Sequence, residues 1–360
     1  MRSLAVQSSP TRVSSFRCPI PCPWDLLTGA EPAFCWQNGS EGDVWFALGQ
    51  AQEFPTLEAC RRALEQIKAP PEISPRGFAM VAFDPAQPKR APWQAFPAQT
   101  IVLPRMLVRW RQSEATGLVF GSDDPADVRS LLSSDRPLSF KFQVSSFSER
   151  SWFARDRWQQ AVRTVQKEIA SGSLQKVVLS RQVTLSASLA IDPAAVLERL
   201  SAKIDDSILF ACHHPGGGVF LGATPERLFQ LRQNQLTVDS LAGTRPRGSN
   251  PKEDARLAEE LSQSAKDRHE QELVTQHITS RLRPLCDQVR VDGVPRVRQL
   301  STVQHLYTSV EAELYAPSTL DDLLTADPDF VVVSTPWAVT PDLLRELADR
   351  GVPALAETPP

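Results

Sequence analysis

Apolar positions along the chain follow two rhythms. Between residue 30 and about residue 110, short apolar runs are cut by Gly, Pro and Asp. Val44–Leu48, Phe78–Phe83 and Ile101–Trp110 are such runs, and they predict strands. Among them, Leu57–Ile67 changes period: Cys60, Ala63, Leu64 and Ile67 recur at helical spacing. Leu118–Phe120 and Phe140–Phe147 predict further strands. A helix is predicted over about 152–171, where Trp158, Val162, Val165 and Ile169 share one face and Ser171-Gly172 ends it. Lys176–Leu185 reads as a strand rich in β-branched residues. Asp192-Pro193 supplies a cap and a first-turn proline for a helix to about Lys203. Ser207–His213 and Val219–Gly222 flank a turn at Pro215–Gly218, and Leu228–Leu231 and Leu236–Leu241 form a hairpin around Arg232–Gln235. The longest helical pattern runs from about Lys252 to Arg283, with Ala258, Leu261, Ala265, Leu273, Val274, Ile278 and Leu282 as its stripe. Gln299–Val310 is again strand-like. The fold class is α+β: a large domain of extended antiparallel sheet with helices packed outside.

Composition narrows the functional classes. In 360 residues, 39 Lys and Arg stand against 42 Asp and Glu, a net charge of −3, without the basic excess of a nucleic-acid binder. No apolar run reaches the roughly 18 residues of a membrane span. The cysteines at 18, 22, 35, 60, 212 and 286 are scattered, as reduced thiols of a cytoplasmic protein are. The first 24 residues hold three arginines, five serines and no acid, a bias shared with organelle-targeting leaders. The alternation of Thr11–Phe16 favours an N-terminal tail, 1–29, running into a first strand.

Five segments carry unusual local chemistry. In Lys176–Arg181 (KVVLSR), a lysine opens an apolar strand, where desolvation favours the neutral, basic amine. In Gly222–Leu228 (GATPERL), Glu226 follows a proline-fixed turn. A buried carboxyl there would act as a general acid. Leu241–Gly248 (LAGTRPRG) offers Gly243 for close backbone approach and Thr244 as a hydroxyl donor to a carboxylate. In Lys266–Val274 (KDRHEQELV), Asp267 and Glu270 are three apart on one helical face and suit a divalent cation. In Val303–Leu306 (VQHL), His305 lies in an apolar strand. Taken singly, each has an ordinary structural explanation: a snorkelling lysine, a turn glutamate, a glycine loop, a solvated helix face, a core histidine.

Their order and their separations of 50, 44 and 35 residues, from Lys176 to Glu226, Glu270 and His305 in turn, change that picture. Together the segments resemble the chorismate-utilising enzymes. The N-terminal part, FCWQNGSEGDVWFALG (34–49), GFAMVAFD (77–84) and WQAFPAQTIVLPRMLVRW (93–110), resembles the isochorismate synthases among them. The resemblance implies a chorismate-binding domain over 30–324, chorismate as small-molecule substrate, Mg2+ as cofactor and no obligate protein partner. It also implies roles. Lys176 takes a proton from water, Glu226 protonates the leaving C4 hydroxyl, and Glu270 ligates Mg2+ with Asp267 in its outer shell. Gly243 and Thr244 cradle a substrate carboxylate, and His305 lies near the ring carboxylate. Family members that attack through their own lysine carry it beside this glycine; here that residue is Ala242. The combination implies water attack at C2. A salicylate synthase or another chorismate-utilising enzyme, or an inactive family fragment, is the alternative.

The family pattern runs through Ser309–Leu324 and then stops. Residues 325–360 read instead as a β-α-β tail: a valine-rich run at Phe330–Ser334, a helix capped at Thr340-Pro341, and a strand from Pro353. This tail resembles a fragment of Gfo/Idh/MocA oxidoreductases, without their glycine-rich phosphate loop. The expectation is a chorismate-binding domain incomplete at its C-terminus, joined near residue 325 to foreign sequence and poorly active alone.

Overall fold

The computed structural model describes residues 13–19, 24, 31–38, 42–82, 93–111, 114–121, 147–150, 155–177, 179, 184–187, 191–203, 206–216, 218–315, 318–325, 331–332 and 354–355. Its contacts divide the chain into two compact units. One holds Met1–Phe142, Asp192–Arg227 and Thr319–Asp321; the other holds Gln143–Ile191, Leu228–Ser318 and Asp322–Pro360. Residues 30–324, read from sequence as one domain, are thus shared between both units.

The first unit is built on a seven-stranded antiparallel sheet in the order Val13–Pro19, Glu114–Phe120, Met106–Arg111, Val44–Leu48, Ala33–Asn38, Ile208–His214, Gly218–Thr224. Val13–Pro19, within the N-terminal segment, is the first strand that the alternation of Thr11–Phe16 predicts. Alternation sends residues to two cores. Cys35, Val44, Phe46, Leu48 and Val108 face one cluster, closed by Ala194 and Leu197 of the helix Pro193–Ser201. Phe34, Trp45, Ala47 and Leu107 face the other, with Cys60 and Leu64 of the helix Leu57–Gln66 and with Ile101–Leu103. Burial on both faces explains the unbroken apolar run of Val44–Leu48. The run Ile101–Trp110 is two strands, Gln99–Leu103 and Met106–Arg111, because Pro104 has no N–H for a ladder.

Capping fixes the helix starts. Thr56 Oγ1 accepts from Ala59 N at 3.1 Å, and the Asp321 carboxylate, far along the chain, accepts from Leu57 N and Glu58 N at 2.8 and 2.9 Å. Glu58 lies between Arg61 and Arg62, and hydrogen bonding to Arg61 holds its carboxyl at about 2. Asp192 caps Pro193–Ser201 as its sequence predicts, accepting from Ala194 N at 3.0 Å. Among the described residues Cys60, Cys212 and Cys286 are free thiols. Burial pushes Cys212 up to about 12, so it stays protonated. No helix among the described residues is long and apolar enough to cross a membrane.

The second unit centres on two long antiparallel strands, Gln235–Pro246 and Val303–Leu314, extended by Gln230–Arg232, Cys286–Val291 and Arg296–Gln299. The single helix expected over 252–283 is two helices, Pro251–Gln263 and Ala265–Leu282. Ser264 separates them with extended backbone, and its hydroxyl accepts from Asp267 N at 3.3 Å. One serine thus ends one helix and caps the next. Leu236, Val238, Leu282, Cys286, Val310 and Ala312 form the apolar core. Beside it runs a polar seam. Gln271, fully buried, donates through Nε2 to Ser240 O at 2.9 Å and to Ser240 Oγ and Thr308 Oγ1 at 3.1 Å.

The strand expected from Lys176 begins later. Thr184–Ala187 pairs with Phe147–Arg150, whereas Lys176, Val177 and Leu179 are outside any strand. The chain leaves the helix Arg155–Ala170 through a turn at Gly172 (φ +81°), and Lys176 is held by a side-chain contact rather than a ladder. Val178 and Ser180–Val183 lie outside the described residues, as do Phe140–Ser146 and the tail helix. In the tail, Val331–Val332 pairs in parallel with Ala354–Leu355.

Candidate active site

The strand pair of the second unit places the glycine motif opposite the histidine motif. Ala242 faces Leu306 and Thr244 faces His305, and the register slips between Ala242 and Thr244, so that Gly243 is a bulge. Gly243 has φ +72°, a conformation open to glycine. A Cβ added there would lie 3.0 Å from Asp267 Cβ and 3.4 Å from Leu261 Cδ1. The glycine is therefore required by the bulge and by the helix beneath it. The close approach its missing side chain permits is that of the helix.

The bulge turns Thr244 toward His305. Thr244 Oγ1 and His305 Nδ1 are 3.1 Å apart, and His305 Nδ1 is 3.3 Å from the Gly243 carbonyl oxygen. Burial lowers the His305 pKa, and the Arg298 charge lowers it further, against the opposing bond to Gly243. The imidazole is neutral at neutral pH. Residues alternate along this strand. Gln304, Leu306, Thr308 and Val310 are buried, while His305, Tyr307 and Ser309 take the other face. On that face Tyr307 donates to Asp239 Oδ1 at 3.2 Å, and Arg298 lies 3.8 Å from Asp239 Oδ2 and 5.4 Å from the Tyr307 ring.

Asp267 and Glu270 do not act as a pair. Asp267 is buried under the bulge and accepts from Arg245 Nη2 at 2.7 Å, while Arg245 Nη1 donates to the Thr244 carbonyl at 2.9 Å. A carboxylate committed to a guanidinium in this way is a clamp on the Gly243–Arg245 backbone, not a metal donor. The outer-shell place expected for Asp267 is compatible with this pairing, because such a residue acts without touching the ion. Glu270 is half-buried, and its Oε1 lies 3.2 Å from Lys176 Nζ. The lysine therefore meets a carboxylate, not the aliphatic surroundings its neighbours suggested. Among the described residues no three His, Cys, Asp or Glu side chains form a metal cluster. Glu270 offers a hard-oxygen donor, which fits Mg2+ of the kind held by one or two carboxylates with waters and substrate oxygens.

Glu226 belongs to the other unit, two residues past the strand Gly218–Thr224. Its N–H donates to Thr224 Oγ1 at 3.2 Å, and its side chain is exposed, not buried as expected. The structure thus joins Lys176 to Glu270 and Thr244 to His305, and it sets Asp267 beneath Gly243. Sequence reasoning missed the work of Arg245 and Gln271. The signal was available, because Asp267 and Gln271 are four apart and share the helix face turned to the sheet.

Residues 29–326 match the family described as chorismate binding enzyme, and the chain belongs to that family. The match ends where the family pattern stops in the sequence. Among the relatives, the chain is 33% identical over 296 residues to the salicylate biosynthesis isochorismate synthase of Pseudomonas aeruginosa, covering 78% of this chain and 61% of that protein. It is 28% identical over 346 residues to the isochorismate synthase MenF of Escherichia coli, covering 93% and 75%. The solved structure of Escherichia coli MenF, the menaquinone-specific isochorismate synthase, superposes with TM-score 0.73 at 26% identity, covering 95% of this chain and 79% of that one.

Proposed function

We propose that the chain is an isochorismate synthase: chorismate gains water at C2 and loses its C4 hydroxyl. The observation that carries this reading is the pairing of Lys176 with Glu270 in a chain whose residue before the Gly243 bulge is a buried alanine, Ala242. No amine stands beside the glycine to attack the ring, and the lysine of the first motif is positioned by a carboxylate. On this reading Lys176 takes the proton of the attacking water, which requires its nitrogen to be free of Glu270. Glu226 gives a proton to the departing hydroxyl, and Thr244 donates to a substrate carboxylate. Mg2+, when bound at Glu270, offsets the carboxylate charge of the substrate.

For the tail, the parallel pairing of Val331–Val332 with Ala354–Leu355 is the strand arrangement that a β-α-β reading requires. The test is incubation of the purified chain with chorismate and Mg2+, followed by chromatography. Isochorismate is the expected product. Salicylate with pyruvate would replace the proposal by a salicylate synthase, and unchanged chorismate would remove it.

A further inference from the structure

His305 has a hydrogen-bonding polarity fixed by its neighbours. Its Nδ1 lies 3.3 Å from the Gly243 carbonyl oxygen, which can only accept. A proton on Nδ1 serves both contacts, whereas a bare Nδ1 would set its lone pair against the Gly243 carbonyl oxygen. The Thr244 hydroxyl, 3.1 Å from the same nitrogen, shares that proton as a second acceptor and keeps its own O–H for another partner. What remains of the ring is the Nε2 lone pair.

We propose that His305 serves the chorismate site as a hydrogen-bond acceptor for an O–H group, through Nε2, and not as a donor to a carboxylate. The inference rests on the reading of this strand pair as part of that site. An anionic oxygen placed at a bare Nε2 would meet a lone pair, and it would bind there only by bringing a proton with it. An O–H group needs no such proton. The C4 hydroxyl of chorismate is one such donor, and the attacking water is another. Carboxylate recognition on this face falls to groups that do donate: the Thr244 hydroxyl and Arg298, which the register places directly opposite His305 on the other flanking strand. Tyr307 and Asp239 bond to each other further along the sheet, and Arg245 turns to Asp267.

Two measurements on the full chain decide this. The first needs no substrate: nitrogen NMR of the five histidines at neutral pH, with His305 assigned by its loss in His305→Asn. Protonation at Nδ1 with a bare Nε2 is expected; the opposite tautomer overturns the proposal. The second is calorimetric titration with chorismate in buffers of different ionisation enthalpy. Asparagine keeps an N–H for Gly243 but has nothing at Nε2, so His305→Asn should weaken binding by about threefold to tenfold, the loss of one ordinary hydrogen bond. Wild type should take up no more protons than the variant, and its affinity should fall on acidification. Proton uptake present in wild type and absent in His305→Asn would overturn the proposal. With an analogue lacking the C4 hydroxyl, the variant should cost nothing if that hydroxyl is the donor, and the same factor if the donor is water. Failure of chorismate to bind at all would strike the proposed function, and the tautomer would still decide the polarity of His305.

Discussion

The two units differ in how much polar burial accompanies their apolar cores. The seven-stranded sheet of the first unit is covered on both faces by aliphatic and aromatic side chains, with Phe46 and Leu107 fully enclosed. The sheet of the second unit buries Asp239, Ser240, Gln304 and Thr308, and the helix above it buries Asp267 and Gln271. Apolar burial is non-directional and tolerates modest shifts. Buried polar groups must be met by particular partners, so they fix one arrangement and penalise others. The first unit is thus built for stability and the second for the placement of a few atoms: the Gly243 bulge, the Thr244 hydroxyl and the His305 ring.

The sharpest way to break this comparison is to treat both sheets alike. Phe46→Ala in the first should cost about 3–5 kcal/mol of unfolding free energy, read from urea denaturation. A loss under about 1 kcal/mol would mean that this core is not what holds the unit together. Gln271→Leu adds apolar surface to the second, yet it should destabilise by about 1–3 kcal/mol, because the Ser240 carbonyl loses its side-chain donor. A gain in stability would show that the polar seam is dispensable. Gly243→Ala should cost about 1–2 kcal/mol for the left-handed backbone alone. It should also weaken chorismate binding, since the methyl must displace Asp267 or Leu261. Loss of stability with unchanged chorismate affinity would separate the bulge from the site.

The smallest effect concerns the loop after the glycine motif. The Asp254 carboxylate accepts from Arg247 Nε and Nη2 at 2.8 and 2.6 Å and from Gly248 N at 2.8 Å. The bond to Arg247, first of these causes, holds Asp254 at about 2, below its ordinary 3.8. A carboxyl depressed on folding stabilises above its unfolded pKa, and the contribution fades as pH falls toward the folded value. The melting-temperature gap between wild type and Asp254→Asn should therefore be constant above about pH 5 and close between about pH 4 and pH 2. A gap that persists at pH 2 would assign the difference to packing.

Legibility in the sequence followed the range of the interaction responsible. Val44–Leu48 and the Asp192 cap could be read directly because apolar runs and capping residues act locally. The break at Ser264 was hidden because the apolar stripe continues through both helices; only Ser264 with Asp267 three residues on marks a second start. The Lys176–Glu270 contact joins positions 94 residues apart, and nothing near Lys176 announces its partner. The commitment of Asp267 to Arg245 was hidden for the same reason. Two carboxylates at helical spacing look equivalent until the sheet claims one of them. Glu226 shows the opposite error, since its motif was legible and its exposure was not.

The central claim is that Lys176 and its surroundings perform water addition to chorismate. The most direct test compares wild type with Lys176→Ala by chromatography after incubation with chorismate and Mg2+, with melting curves as the control for folding. Isochorismate from wild type, and a rate about 100-fold to 10,000-fold lower in an equally stable variant, is the result expected for loss of a general base. Equal isochorismate formation by both proteins would contradict it.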